Sequence, residues 1–166
     1  MSLLSNNQLG SLTTGGQSGD VVLKDGFRIN FRMAINTGGH FGHELGYAYN
    51  RTQLSIAGSP DQGMAIHQGF YNYLGYFTKD GARIRPFATG GVQFSNFVPP
   101  GSSASYGQGS TKFGVNYGGG IKVRVSASIG IRFDVRQYQT PKPFDLPGSS
   151  GWMRQNEISA GVGFLL

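Results

Sequence analysis

Residues 27–36 read Phe-Arg-Ile-Asn-Phe-Arg-Met-Ala-Ile-Asn. Phe27, Ile29, Phe31, Met33 and Ile35 are apolar, and Arg28, Asn30, Arg32, Ala34 and Asn36 sit between them. Successive side chains of a strand point to opposite faces, so this strict alternation predicts a strand with one apolar and one polar face. A helix would instead need apolar residues three and four apart.

The same period returns on both sides of this stretch. Phe113, Val115, Tyr117, Ile121, Val123 and Val125 face away from Gly114, Asn116, Gly118, Gly120, Lys122 and Arg124. Ile129, Ile131, Phe133 and Val135 oppose Gly130, Arg132, Asp134 and Arg136. At the carboxyl end Ile158, Ala160, Val162, Phe164 and Leu166 oppose Glu157, Ser159, Gly161, Gly163 and Leu165. Three middle segments alternate less cleanly. In 41–57, Leu45, Tyr47 and Tyr49 oppose Glu44, Gly46, Ala48 and Asn50. In 64–78, Ile66, Phe70, Leu74 and Tyr76 form one face and His67, Gly69, Tyr71, Tyr73 and Gly75 the other. In 83–97, Ile84, Ala88, Val92 and Phe94 oppose Arg85, Thr89, Gly91, Gln93 and Ser95, with Pro86 marking a strand start or a bulge. These are seven strands of roughly 12 to 17 residues, against about 5 to 6 in soluble proteins; spanning a bilayer takes about 9 to 11.

Composition agrees. Glycine fills 28 of 166 positions, charged residues are 13%, and cysteine is absent. Interior glycines disfavour a helical domain. Frequent aromatic and β-branched residues exclude disorder, and the lack of cysteine excludes disulfides and thiolate metal sites. No run approaches 18 apolar residues, so no transmembrane helix is expected. The opening residues, Met1-Ser-Leu-Leu-Ser-Asn-Asn, have neither a cationic start nor an apolar run, and are read as a chain already without its export signal.

Connections alternate in length. Residues 37–40, 79–82 and 126–128 are short, whereas 58–63, 98–111 and 141–151 are longer and rich in Gly, Ser and Pro. One end of the predicted barrel is tidy and the other elaborate. Counting back, residues 10–24 fall in a long-loop position, and a first strand belongs within 1–9. Leu3, Ser5, Asn7 and Leu9 make at best a half-apolar face, so strand 1 is expected to be short, truncated or completed from elsewhere.

A solvent-facing surface is not usually built of glycines such as Gly114, Gly118, Gly120, Gly161 and Gly163. In a narrow eight-stranded lumen, however, small residues make room for long side chains from neighbouring strands. The pattern therefore predicts polar side in, apolar side out. A lumen charge network is expected from Arg28, Arg32, Arg85, Lys122, Arg124, Arg132 and Arg136 with Glu44, Asp134 and Glu157, because buried charges must pair or stay hydrated. Tyr47, Tyr49, Tyr76, Phe94, Tyr117, Trp152 and Phe164 fall on the outward parity and are candidates for the aromatic girdles at the headgroup level.

With these features the chain resembles the small eight-stranded outer-membrane β-barrel family, the group that includes the OmpA transmembrane domain and OmpX-type proteins. The most specific stretches are Phe113-Gly-Val-Asn-Tyr-Gly-Gly-Gly-Ile-Lys-Val-Arg-Val, Ile129-Gly-Ile-Arg-Phe-Asp-Val-Arg and Glu157-Ile-Ser-Ala-Gly-Val-Gly-Phe. The last resembles the family's assembly signal, with its aromatic, Phe164, displaced by Leu165 and Leu166. The resemblance implies an all-β, antiparallel up-and-down transmembrane barrel of eight strands in one domain, 1–166. It also implies a Gram-negative-type outer membrane, lipopolysaccharide and the barrel assembly machinery as partners, and no cofactor.

Signals for other chemistry are weak. His40 and His43, beside Glu44, are three apart on a strand and point to opposite faces, so no metal site is expected. His67, Asp61 and Ser55 or Ser59 gather at the long-loop end of one hairpin without a spacing motif for a nucleophile and base. No catalytic residue is assigned, and an enzyme acting on lipid A is the last alternative. A net charge of +6 invites a nucleic-acid reading, but the arginines are spread over many strands, and none is expected. Arg51, Lys112, Lys142 and Arg154 are placed at the long-loop end, where they could meet lipopolysaccharide phosphates. The leading expectation is a structural or surface-interaction barrel with a plugged lumen. Its loops 10–24, 98–111 and 141–151 contact external partners, and it is a monomer or self-associates through residues 1–24. A narrow pore and a strand-exchanging assembly subunit are the alternatives.

Overall fold

The computed structural model describes residues 2–5, 8–14, 17–56, 60–101, 109–143 and 151–164. Ser59, residues 102–108 and 144–150 of two predicted loops, and Leu165 and Leu166 lie outside the described residues. The strands are β1 (Ser2–Ser5), β2 (Gln8–Thr14), β3 (Gln17–Leu23), β4 (Phe27–Gly38), β5 (Phe41–Ile56), β6 (Gln62–Tyr76), β7 (Ile84–Val98), β8 (Ser110–Arg124), β9 (Ile129–Pro141) and β10 (Trp152–Phe164). All pair antiparallel in one sheet ordered β1-β10-β9-β8-β7-β6-β5-β3-β2, with β4 also on β5. No helix occurs among the described residues.

Ten segments make eight staves. β5 receives β3 along its last residues, Val21 opposite Ile56 and Leu23 opposite Leu54. It receives β4 along the rest, from Phe27 opposite Arg51 to Gly38 opposite Phe41. β3 and β4 are thus one stave interrupted at Lys24, Asp25 and Gly26. β1 and β2 together are the first stave. From β4 to β10 the strands hold 12 to 16 residues. The β4–β5 turn is tight because Gly38 and Gly39 adopt positive φ, 117° and 50°.

Two expectations are corrected. Residues 10–24 are not a loop: β2 and β3 form a hairpin from Gln8 opposite Val22 to Thr14 opposite Gln17. Its Val21 and Leu23 are buried, with Leu9, Met64, Ile66, Phe97 and Met153, in an apolar cluster that closes the long-loop end. The second correction is the parity of β6. Ile66, Phe70, Leu74 and Tyr76 are buried inside, while Tyr71 and Tyr73 are exposed outside. Tyr76 is therefore no girdle residue; with Leu74 and Phe87 it closes the short-turn end. The lumen is polar in the middle and apolar at both ends, so the face of β6 that covers both ends reads as apolar.

The other outward faces follow the alternation. Phe27, Ile29, Phe31, Met33, Ile35, Val92, Phe113, Phe133, Val135 and Val162 are all exposed. Inward glycines allow neighbouring backbones to close in. A Cβ at Gly118 would lie 2.2 Å from the carbonyl oxygen of Val135, and one at Gly120 2.1 Å from that of Phe133. Gly118→Ala is expected to lower the unfolding free energy in urea by about 1–3 kcal/mol through overpacking. Gly161→Ala, where nothing lies within 4 Å, is the comparison expected to change it little.

Among the described residues the sheet does not close fully. β1 pairs with β10 only from Ser2 opposite Glu157 to Ser5 opposite Arg154. Below it, residues 159–164 of β10 and the second edge of β4 meet no strand among the described residues.

Candidate functional site

Period two places Arg28, Asn30 and Arg32 on the inner face of β4, Glu44 on that of β5, Arg132, Asp134, Arg136 and Tyr138 on that of β9, and Glu157 on that of β10. Register then sets glycine across from bulk. Arg32 lies opposite Gly46, Arg136 opposite Gly118 and Asp134 opposite Gly120. The space over Gly118 is taken by Arg136, whose Cγ a Cβ there would meet at 3.0 Å, and the space over Gly46 by the Phe70 ring.

The result is a chain of charges across the lumen. Glu44 accepts Arg132 at 2.5 Å and Arg136 at 2.7 Å. Asp134 is the hub, meeting Arg132 at 2.7 Å, Arg136 at 3.2 Å and Arg32 at 3.0 Å. Arg32 continues to Glu157, which also takes Arg28 Nε at 3.0 Å. Tyr138 Oη and Asn30 Nδ2 each donate to Glu157 at 2.8 Å. Among the described residues, four arginines thus share three carboxylates. Arg28 also donates to Gln68, and its guanidinium stacks 4.4 Å from the Tyr138 ring. Gln68 Nε2 in turn donates to Ser95 Oγ at 2.9 Å and to Gln155 Oε1 at 3.0 Å. Charge, amide and aromatic side chains therefore fill the section between the two apolar ends. Burial lowers the local dielectric around these pairs, which strengthens each of them.

Two further cations belong to the short-turn end. Lys122 Nζ donates to Tyr76 Oη at 2.6 Å. Arg85 lies 3.8 Å over the Tyr76 ring, bonds Asp80 at 2.7 Å and donates to the Gly39 carbonyl at 3.1 Å. Arg124, expected in the network, is instead exposed at the last residue of β8, beyond the reach of the lumen carboxylates. Sequence reasoning missed Tyr138, Asn30, Gln68 and Gln155 as network members. Tyr138 shares parity with Asp134 and Arg136, a signal that was present in the alternation.

Outside, Tyr47, Tyr49, Phe94, Tyr117, Trp152 and Phe164 lie on the outward face. Tyr47 Oη and His67 Nδ1 are 2.6 Å apart, as are Tyr71 Oη and His43 Nδ1. Gln137 Nε2 donates to Asn156 Oδ1 at 2.9 Å and Gln139 Nε2 to Tyr117 Oη at 3.1 Å. This outward polar row crosses β8, β9 and β10 and bounds the apolar band formed on β9 by Ile129, Ile131, Phe133 and Val135. Such a boundary is what a headgroup level requires. Of the candidates at the long-loop end, Ser55 and Asp61 share a side-chain hydrogen bond, whereas His67 is bonded to Tyr47. Lys24 Nζ lies 2.5 Å from Asp61, and this bond holds the Asp61 carboxyl below the usual carboxylate range. His67 faces Tyr47, and His40 occupies the exposed β4–β5 turn.

A family model described as outer membrane protein beta-barrel domain matches residues 6–164. No curated protein matches the chain.

Proposed function

The chain belongs to the outer membrane protein beta-barrel domain family, whose place is the bacterial outer membrane, and from that membership we propose a non-conducting barrel that anchors a surface for external partners. The observation that carries this reading is the charge network from Glu44 through Asp134 to Glu157, which fills the lumen where a channel would need water. Aqueous pores of this architecture have wider barrels; the interior of eight strands is narrow enough for side chains to fill. On this reading the long connections 98–111 and 141–151, together with the β2–β3 hairpin, contact partners beyond the membrane. Arg51 and Arg154, exposed at the long-loop end, face lipopolysaccharide phosphates. The assembly machinery receives the β10 strand. No catalytic role is assigned, since His67 and Asp61 each have a different partner.

Planar-bilayer recording of the refolded protein tests the reading. Wild type is expected to give no stepwise conductance. Ohmic steps in wild type would replace this proposal with the narrow-channel one.

A further inference from the structure

The positive charge of the chain is not spread evenly. Around the short-turn end the described residues carry Lys79, Arg83, Arg85, Lys122 and Arg124 against one acid, Asp80. Register brings four of these cations together. Arg85 and Lys122 are direct partners across β7 and β8, and Lys122 is in turn the direct partner of Arg132 on β9. The bond from the Arg124 N–H to the Arg83 carbonyl, 2.7 Å, continues the ladder by one more pair of cations. Arg83 and Arg124 are exposed at the strand ends, and Arg85 and Lys122 stand behind them in the mouth. Both β7 and β8 are paired on each side, so the block belongs to the wall of the barrel and not to an edge.

Like charges directly opposite one another destabilise a sheet. Sequences keep such conflicts mainly at functional sites. The acids of the lumen do not neutralise this one. Glu44 and Asp134 lie deeper and are shared among Arg132, Arg136 and Arg32. Asp80 bonds Arg85 from a side chain that is 53% exposed, where water weakens the pair. Among the described residues no carboxylate pairs with Lys122, whose Nζ donates to the neutral Tyr76 hydroxyl at 2.6 Å. Arg85 Nε is buried and has no hydrogen-bond partner. The mouth therefore holds cations set side by side, with too few acids to balance them.

We propose that the short-turn mouth is a binding site for a phosphate group, held by Arg83, Lys122 and Arg124 and backed by Arg85. The guanidinium forks of Arg83 and Arg124 match phosphate oxygens in pairs, and Lys122 adds a compact point charge. A phosphate group carries about −1.5 to −2 at neutral pH, more than a carboxylate, and so relieves more of the repulsion within the block. Barrels of this architecture turn their short connections toward the periplasm. The group arrives from that compartment, either on a soluble phosphorylated compound or on a lipid headgroup of the adjoining leaflet. The site lies below the charge network and does not depend on whether the lumen conducts.

Titration calorimetry of the refolded full chain in an uncharged sugar detergent at low salt tests this. Inorganic phosphate is one probe and dihexanoyl phosphatidic acid the other, with sodium chloride at matched ionic strength as the blank. Saturable binding to one site is expected. Binding of inorganic phosphate assigns a soluble compound, and binding of the lipid alone assigns a headgroup. Lys122→Met and Arg124→Gln are each expected to weaken binding by about tenfold or more, the loss of one charge-assisted contact. Lys24→Met, which removes a cation at the long-loop end, is expected to leave it unchanged. Arg124 is exposed at a strand end, so its variant keeps the fold whatever Lys122→Met does to it. The proposal is overturned if neither probe binds, if chloride gives the same heat, if Arg124→Gln binds as wild type does, or if Lys24→Met weakens binding equally.

Discussion

Replacing Glu157 with glutamine is expected to destabilise the folded barrel by about 3–5 kcal/mol, the cost of leaving a buried charge without its partner. Glu157 is fully buried and receives Arg28, Arg32, Tyr138 and Asn30. A neutral amide keeps the shape but leaves two guanidiniums around one lost charge. Asp134 already serves Arg132 and Arg136 as well as Arg32, so it has no spare capacity. Urea unfolding in lipid, followed by the fluorescence of Trp152, the only tryptophan in the chain, measures the loss. Lys24→Met, which removes a partly exposed pair with Asp61, is the control and is expected to cost under about 1 kcal/mol. Similar losses from the two variants would mean that the lumen is hydrated and the network is not a plug.

The second large effect concerns the outer face. Val135→Arg is expected to destabilise the barrel in a bilayer by about 2–4 kcal/mol, whereas Gln139→Arg costs about 0–1. Val135 is 60% exposed and lies within the apolar band; Gln139 lies four residues on, in the outward polar row with Tyr117. In water an exposed valine tolerates arginine. The difference between the two positions therefore reports depth in lipid rather than packing. Equal, small effects at both sites would place this face in solvent and would contradict the polar-in arrangement.

Much of this was legible in residues 27–36, 113–125, 129–136 and 157–164. In those segments period two separates the faces without help from context, and the buried Arg28, Asp134, Arg136 and Glu157 and the exposed Phe31, Phe133 and Val135 lie where that period puts them. β6 was not legible. Its inner face covers both apolar ends of the lumen and its outer face carries Tyr71 and Tyr73, so hydrophobicity no longer distinguishes inside from outside. Arg124 has the correct parity but lies at a strand end, where parity without depth does not place a side chain in the lumen. Residues 10–24 look like a loop because Gly and Ser are frequent, yet the buried Leu9, Val21 and Leu23 draw them into a hairpin over the long-loop end.

Alternation alone determined the fold class, because a two-residue period has one structural meaning and strands of this length have few others. It also determined that charge lies inside, since an apolar outer face leaves no other place for it. Only the tertiary structure decided which arginine meets which carboxylate. Pairing across a barrel depends on the stagger of strands distant in sequence, Arg32 with Glu157 for example, and that stagger leaves no trace in local periodicity. It also decided which part of β10 the described first stave covers. That follows from where β1 meets β10, a register that Ser2 to Ser5 do not encode by themselves.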